Sequence, residues 1–328
     1  MSPGLIRLPV DAEAVGDADE EIFIAYTNLQ QAKTVPVGPD GFRGLGHVDS
    51  RKDTLFIQFE LKSSVGRLTQ TDGAATRRGK AGRKSKEFPA STKTIEVELA
   101  QDKTALRSRK GDTGSVLWRA SVEFAQLVLQ QHFFPPDNPL FERAELANSH
   151  VLELGAGTGL LGVALSPLVR SYTVTDIGVL LPLIRKNVAL NFPGWPHSNG
   201  DGSSGGSGVF VEELDWVTVH SSPAAVRTRY CPTPSTASSD SWDFVLVVDC
   251  IYHPSLLPAL VETIDVVSTC ATTWVLVVVE LRQEDVVREF LDLWLRKGEW
   301  TLWRLDNILG LHYGVWAGQK RRNTHSES

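Results

Sequence analysis

Cysteine is scarce in this chain: three in 328 residues, Cys231, Cys250 and Cys270, with no Cys-x-x-Cys pair. An odd count without paired spacing excludes a disulfide framework and a cysteine-built zinc site, and it suits a reducing compartment. A surplus of base is also lacking. The 33 Lys and Arg stand against 39 Asp and Glu for a net charge of -6, the reverse of what a general nucleic-acid binder needs. No apolar run approaches the roughly 20 residues that span a bilayer; the best, 274–279, has the length of a strand. The first 19 residues are acidic and lack the basic-then-apolar order of a secretory signal. There is no His-Glu-x-x-His sequence for a metal-dependent hydrolase. Gly-Ser-Ser-Gly-Gly at 202–206 matches the Gly-x-Ser-x-Gly pattern only by composition, since no buried strand precedes it. The expectation is a soluble monomer of the cytoplasm, with the nucleus as a second location and no metal.

What is present divides near residue 105. With 42% hydrophobic residues the chain can bury a sizeable core. Residues 1–105 contain three β-like runs, 22–27, 54–61 and 94–99, which predict a small β-rich N-terminal extension. Between the last two lies a basic segment, 69–86, with Arg77, Arg78, Lys80, Arg83, Lys84 and Lys86. Such a run is ordinarily a solvated loop, and its sharper reading is contact with RNA or an acidic partner. From 106 to 320 strand and helix patterns alternate: helices at 116–131, 159–165, 180–190, 256–267 and 283–296, with strands His150–Leu154, Ser171–Asp176, 209–214, Phe244–Val248 and 273–281. Helical crossovers imply a mostly parallel, Rossmann-like α/β sheet covered on both faces. Two closing strands, 300–305 and 311–317, have no helix between them and predict an antiparallel hairpin at its edge. Gly/Ser/Pro-rich stretches at 198–208 and 221–240 read as loop insertions, and 321–328 as a tail.

The strongest signal is Glu-Leu-Gly-Ala-Gly-Thr-Gly at 153–159, a strand delivering three glycines into the turn before a helix. Glycine is needed where the backbone must turn sharply and approach a ligand that a Cβ would strike. The next strand ends on Asp176, placed to accept the hydroxyls of a ribose. This spacing serves any adenosine-bearing cofactor. A dinucleotide is one reading, although the Gly-x-Gly-x-x-Gly at 157–162 starts two residues late relative to the strand end. S-adenosylmethionine is the other, because the 153–159 block and the seven-strand order resemble the class I methyltransferases. That resemblance implies cofactor contacts from Glu153, Gly155, Ala156, Gly157 and Asp176.

After the fourth core strand comes Asp-Cys-Ile-Tyr at 249–252, at the carboxyl end of a parallel strand where ligands sit. Asp249 could equally cap the following helix, and Tyr252 could pack as core. Asp-x-x-Tyr at this place resembles the signature of the family-16 methyltransferases, which modify lysines of non-histone proteins. Three other blocks agree: Thr-Gly-Ser-Val-Leu-Trp at 113–118, Leu-Asp-Trp at 214–216, and the asparagines Asn187 and Asn191. The resemblance implies that Asp249 and Tyr252 serve the acceptor amine, and that Trp118, Trp216 and Val248 touch the cofactor. Within the family, the N-terminal extension and the ending His-Tyr-Gly-Val-Trp at 312–316 are most similar to the fungal ribosomal lysine methyltransferase type. This implies a large-subunit ribosomal protein as substrate. Another nitrogen acceptor (histidine, an N-terminal or small amine) and a non-catalytic binding module remain as alternatives.

Overall fold

The computed structural model describes residues 4–9, 12–33, 46–63, 91–102, 113–196, 206–234 and 241–321. The basic segment 69–86, most of the 198–208 insertion, the end of the 221–240 insertion and all but the first residue of the tail lie outside them.

Strand β1 (Glu13–Ala14) and helix α1 (Ala18–Lys33) come first, followed by β2 (Thr54–Lys62) and β3 (Thr92–Ala100). Helices α2 (Arg119–Phe133) and α3 (Arg143–Asn148) lead into the alternating region. It runs β4 (His150–Leu154), α4 (Leu160–Leu165), β5 (Ser171–Asp176), α5 (Leu181–Asn191), β6 (Val209–Glu213) and α6 (Trp216–Ser221). It continues with β7 (Phe244–Val248), α7 (Leu257–Val267), β8 (Trp274–Glu280) and α8 (Glu284–Leu295), before β9 (Trp300–Arg304) and β10 (Tyr313–Lys320) close the chain.

One sheet carries the strands in the order β1-β9-β10-β8-β7-β4-β5-β6. Strands β4 to β8 are mutually parallel, whereas β10 is antiparallel to both β8 and β9. This is the expected class I methyltransferase arrangement with an eighth strand added, because Glu13 and Ala14 pair with Arg304 and Trp303 at the edge. Both faces are covered, and β7 is accordingly apolar throughout. In β7, Val245 and Val247 enter the core on one face while Leu246 and Val248 enter the other, the period-two alternation of a doubly buried strand. The chain order reverses at β4, which lies between β5 and β7, and a crevice opens beyond the strand tips at such a point.

The first hundred residues correct one expectation. The run 22–27 is not a strand; it lies inside α1. Asp17 Oδ1 accepts the Glu20 amide at 2.9 Å and caps the helix, and Asp19, Glu20 and Glu21 fill its first turn, where acid is favoured. Ala18, Ile22, Ala25 and Leu29 then face the core that contains α8, a helical spacing that overrides the β-like Ile-Phe-Ile run. Part of the second insertion likewise winds into a short 3-10 turn, Ala224–Tyr230.

The other two predicted strands do form, as the antiparallel pair β2–β3, with Leu55, Phe59, Leu61, Val97 and Leu99 in the same core as α2, α4 and α5. Amide side chains seal both of its edges. Gln130 accepts from Lys62 N and donates to Lys62 O, and Gln126 donates to Glu60 O. On the other edge Asn187 pairs with the backbone of Ala100, and Asn191 with that of Glu98. The two asparagines are therefore structural, and they satisfy strand groups that would otherwise be left open.

Candidate active site

Beyond the tips of β4, β5 and β7 lies a cavity of about 430 Å³, within the size range of cofactor pockets. Its floor is the glycine turn. Gly155, Gly157 and Gly159 all have positive φ. At Gly155 the need for glycine is twofold: φ is +67°, and a Cβ would come within 2.7 Å of Cys250 Sγ and 3.0 Å of the Trp216 ring. Cys250 is a packing and hydrogen-bonding residue, with its thiol donating to Leu154 O at 3.1 Å and burial raising its pKa well above the usual value.

Asp176, at the end of β5, fixes the turn from the side. Its Oδ2 accepts the Gly157 amide at 2.8 Å and its Oδ1 the Ile177 amide at 2.8 Å. Trp216 opens α6, capped by Asp215, whose carboxylate accepts from Val217 N at 3.0 Å and Thr218 Oγ1 at 2.7 Å. The Trp216 ring lines the cavity while its Nε1 is buried without a partner among the described residues, a donor left over for a ligand. On the opposite wall Trp118 Nε1 donates to Thr113 O at 2.8 Å.

Asp249 follows β7 in the left-handed region, φ 58°, where an aspartate is tolerated better than most side chains. Its amide donates to Val278 O at 2.7 Å, and its carboxylate accepts from Glu280 N at 3.3 Å and pairs with the Arg282 guanidinium. Burial raises the Asp249 pKa, and Arg282 opposes that rise. Tyr252, three residues on, is half-buried and lines the same cavity.

The structure thus brings Trp118, Gly155, Ala156, Gly157 and Asp176 to one cavity with Trp216, Val248, Asp249 and Tyr252. It does not bring Glu153 there. Two residues before the turn, that side chain lies under the sheet surface, 3% exposed, beside Tyr172. Burial first, then the charge of Asp176, lifts its pKa to about 8 despite the neighbouring Tyr172 hydroxyl. The folded protein holds a proton there that the unfolded chain releases above the ordinary value of 4.5. The contribution of this group to stability is therefore full below 4.5 and is lost as pH rises through about 8. Glu153→Gln is accordingly expected to melt at a higher temperature than the parent near and above that upper value. The two proteins should differ little below the lower one, in thermal unfolding followed across the range. An unchanged melting difference at both ends would show that Glu153 is not buried as a neutral acid.

Sequence reasoning passed over Asp215 and Arg282. Asp215 was visible within the 214–216 block; Arg282 had no signal, because only the folding of β8 beside β7 brings it to Asp249. Three carboxylates, Asp176, Asp215 and Asp249, line the cavity, and no Lys or Arg does among the described residues. A cavity so charged favours a cationic ligand over a pyrophosphate, which separates the two cofactor readings left open above.

A family model described as lysine methyltransferase matches residues 100–296, more than half of the chain. A Schizosaccharomyces pombe protein named diaminohydroxyphosphoribosylamino-pyrimidine deaminase is 32% identical over 60% of this chain and 41% of its own length. The Mus musculus protein-lysine N-methyltransferase EEF2KMT is 29% identical over 58% of this chain and 51% of its own. The Xenopus tropicalis protein N-lysine methyltransferase METTL21A is 30% identical over 37% and 45%. The chain spans about half or less of the length of these relatives.

Proposed function

The chain belongs to the lysine methyltransferase family, and from that premise we propose that it is an S-adenosylmethionine-dependent protein-lysine N-methyltransferase. The observation that carries the reading is the union of two half-sites in one acidic cavity: the Gly155 turn with Asp176 and Trp216, and the Asp249–Tyr252 pair. The residues fit the cofactor. The floor leaves no room for a Cβ at Gly155, Trp216 offers a free donor, and three aspartates suit a sulfonium. Gly155, Gly157, Asp176, Asp215 and Trp216 would hold the adenosyl part, with Trp118 and Val248 closing the site towards the acceptor.

When bound, the cofactor supplies a methyl group already attached to a good leaving group, so transfer needs alignment rather than a covalent nucleophile. The protein's own task is the amine. A free lysine has a pKa near 10.4, and baring its nitrogen at pH 7 costs ~4–5 kcal/mol. Burial in the crevice removes water from the ammonium and so favours its neutral form, against the aspartates of the lining, which favour the charged one. Asp249 aims the nitrogen as a hydrogen-bond acceptor, and the half-buried Tyr252 forms a wall for the methylene stem. The proton leaves to water at the cavity mouth.

The substrate we propose is a large-subunit ribosomal protein, a reading supported by the resemblance at 312–316, with the basic 69–86 segment as a contact to RNA or to an acidic partner. The protein would act as a cytoplasmic or nuclear monomer. The Pro-Cys-x-x-Cys pattern with which zinc deaminases hold their metal is absent from this sequence, so the activity named for the S. pombe relative is not carried over. Incubation with methyl-labelled S-adenosylmethionine and either purified large ribosomal subunits or ribosome-free lysate tests the acceptor and the substrate. Mass spectrometry should place the label on a lysine of a ribosomal protein. Label confined to ribosome-free proteins would remove the ribosomal assignment. Label on histidine, an N-terminus or a small amine would replace the lysine reading, and no saturable heat with S-adenosylhomocysteine would remove the enzyme.

A further inference from the structure

We infer that Arg282 is a positioning residue for the transfer reaction, holding Asp249 as a correctly aimed, partly neutralised carboxylate. The inference rests on the function proposed above and concerns how its acceptor half works. Asp249 is 4% exposed in its side chain, so its charge sits away from water. Burial and the adjacent Glu280 carboxylate both favour its protonated form, and Arg282 is the cation that opposes them. The other titratable groups nearby do not take over this role. Cys250 is a neutral thiol, and His47 is held towards its neutral form by burial and by Arg282 itself. Tyr252 and His253 line the cavity, and Asp176 adds negative charge from the β5 side.

The guanidinium is built in tightly. One amine reaches Asp249 Oδ2 and also Glu280 Oε2 at 3.2 Å, and the group lies over the Trp118 ring at 4.6 Å, a favourable cation–π placement. The His47 ring covers Trp118 at 4.5 Å, and the segment that carries it is bridged to Trp118. A Cβ on Gly46 would come within 2.7 Å of Glu280 Oε2 and 3.1 Å of Arg282 Nη2. This packing fixes the plane of the guanidinium, and a paired guanidinium fixes the carboxylate beside it.

Two consequences bear on the amine, and both have the same sign. Without Arg282, Asp249 would bind its proton more tightly, and the protonated acid presents a hydroxyl donor where the carboxylate presents an acceptor. Any fraction still ionised would carry an unopposed charge, which would stabilise the lysine as an ammonium. A carboxylate paired to a resident cation avoids both: it can orient the nitrogen without holding its proton.

The test compares wild type, Arg282→Met and Arg282→Lys in methylation of the lysine substrate across pH, with S-adenosylhomocysteine titrated calorimetrically and thermal melts run in parallel. Misplacement of a reacting group by about 1 Å can cost roughly 100-fold. Arg282→Met should accordingly lose about that much in kcat/KM near neutrality, with the rising limb of its pH profile moved to higher pH and the loss shrinking as pH increases. Affinity for S-adenosylhomocysteine should stay within a few-fold. Arg282→Lys should return the limb towards its original position while recovering only part of the rate. A profile lowered evenly at every pH, or a rate loss matched by lost cofactor affinity, would overturn the role. Should Arg282→Met fail to fold, Arg282→Gln replaces it under the same criteria. A wild-type protein that transfers no label at any pH overturns the enzyme assignment, and this role falls with it.

Discussion

Asp249→Asn is expected to abolish methyl transfer to within about 1% of the parent rate, on the scale at which a misplaced reacting group acts, while S-adenosylhomocysteine binds as before. Asparagine is the informative replacement. It matches the shape of the aspartate and tolerates the left-handed backbone that φ 58° imposes. Alanine at the same place would add backbone strain to the lost carboxylate. The replacement removes the charge, so that among the described residues Glu280 is the ionic partner left to Arg282, and one of the two accepting oxygens becomes an NH2 group, which donates and cannot accept. The residues proposed to hold the adenosyl part, Gly155, Asp176 and Trp216, are left intact. Single-turnover methylation and calorimetric titration separate the two effects. Equal loss of both would mean that Asp249 shapes the cavity rather than serving the amine.

Gly155→Ala should do the reverse and empty the cofactor half. The new Cβ meets Cys250 Sγ at 2.7 Å and the Trp216 ring at 3.0 Å, and neither can retreat easily. Cys250 is fully enclosed and bonded to Leu154 O, while Trp216 is held by the Asp215-capped start of α6. Left-handed strain and overpacking each cost roughly 1–3 kcal/mol, and much of the second falls on the wall that receives the adenosyl group. Affinity for S-adenosylmethionine should fall at least about tenfold, in proportion to about 1.4 kcal/mol per decade, with a lower melting temperature. Gly298→Ala is the matched control. That residue also has positive φ, +72°, but nothing within 4 Å of a Cβ, so it should lower stability modestly and leave cofactor affinity alone. Equal affinity losses in the two variants would deny Gly155 its place in the floor.

Much of this was legible in the sequence, and for a physical reason. The strands His150–Leu154, Ser171–Asp176 and Phe244–Val248 were placed to the residue because they are buried on both faces and stop at glycine or acid where the crevice begins. Helix α2 begins three residues later than its apolar pattern suggests, since Trp118 is extended and turned into the cavity wall. Helix α1 was hidden by two isoleucines flanking a phenylalanine, which carry β propensity; the Asp17 cap and the surface of α8 decide in favour of a helix. The Asp-x-x-Tyr and glycine motifs announced themselves because each is local. Arg282 could not, because its meaning depends on a partner 33 residues away in the chain, brought close where β7 and β8 lie side by side. Glu153 misled for the opposite reason: it belongs to a recognisable block, yet strand alternation turns it onto the same face as Val151, beneath the turn rather than into it.

The sealed two-stranded sheet has an implication for how such a protein diversifies. Lys62 pairs with Thr92 at its open end, and the last rung is closed by Ser63 N donating to Ser91 O and Ser91 N donating to Ser63 Oγ. The chain therefore departs and returns at neighbouring points, on a platform already saturated by Gln126, Gln130, Asn187 and Asn191. Lengthening a connection anchored in this way costs only about 0.6 kcal/mol per doubling. The connection between Lys62 and Thr92 can therefore vary in length and charge at little cost to the sheet that anchors it.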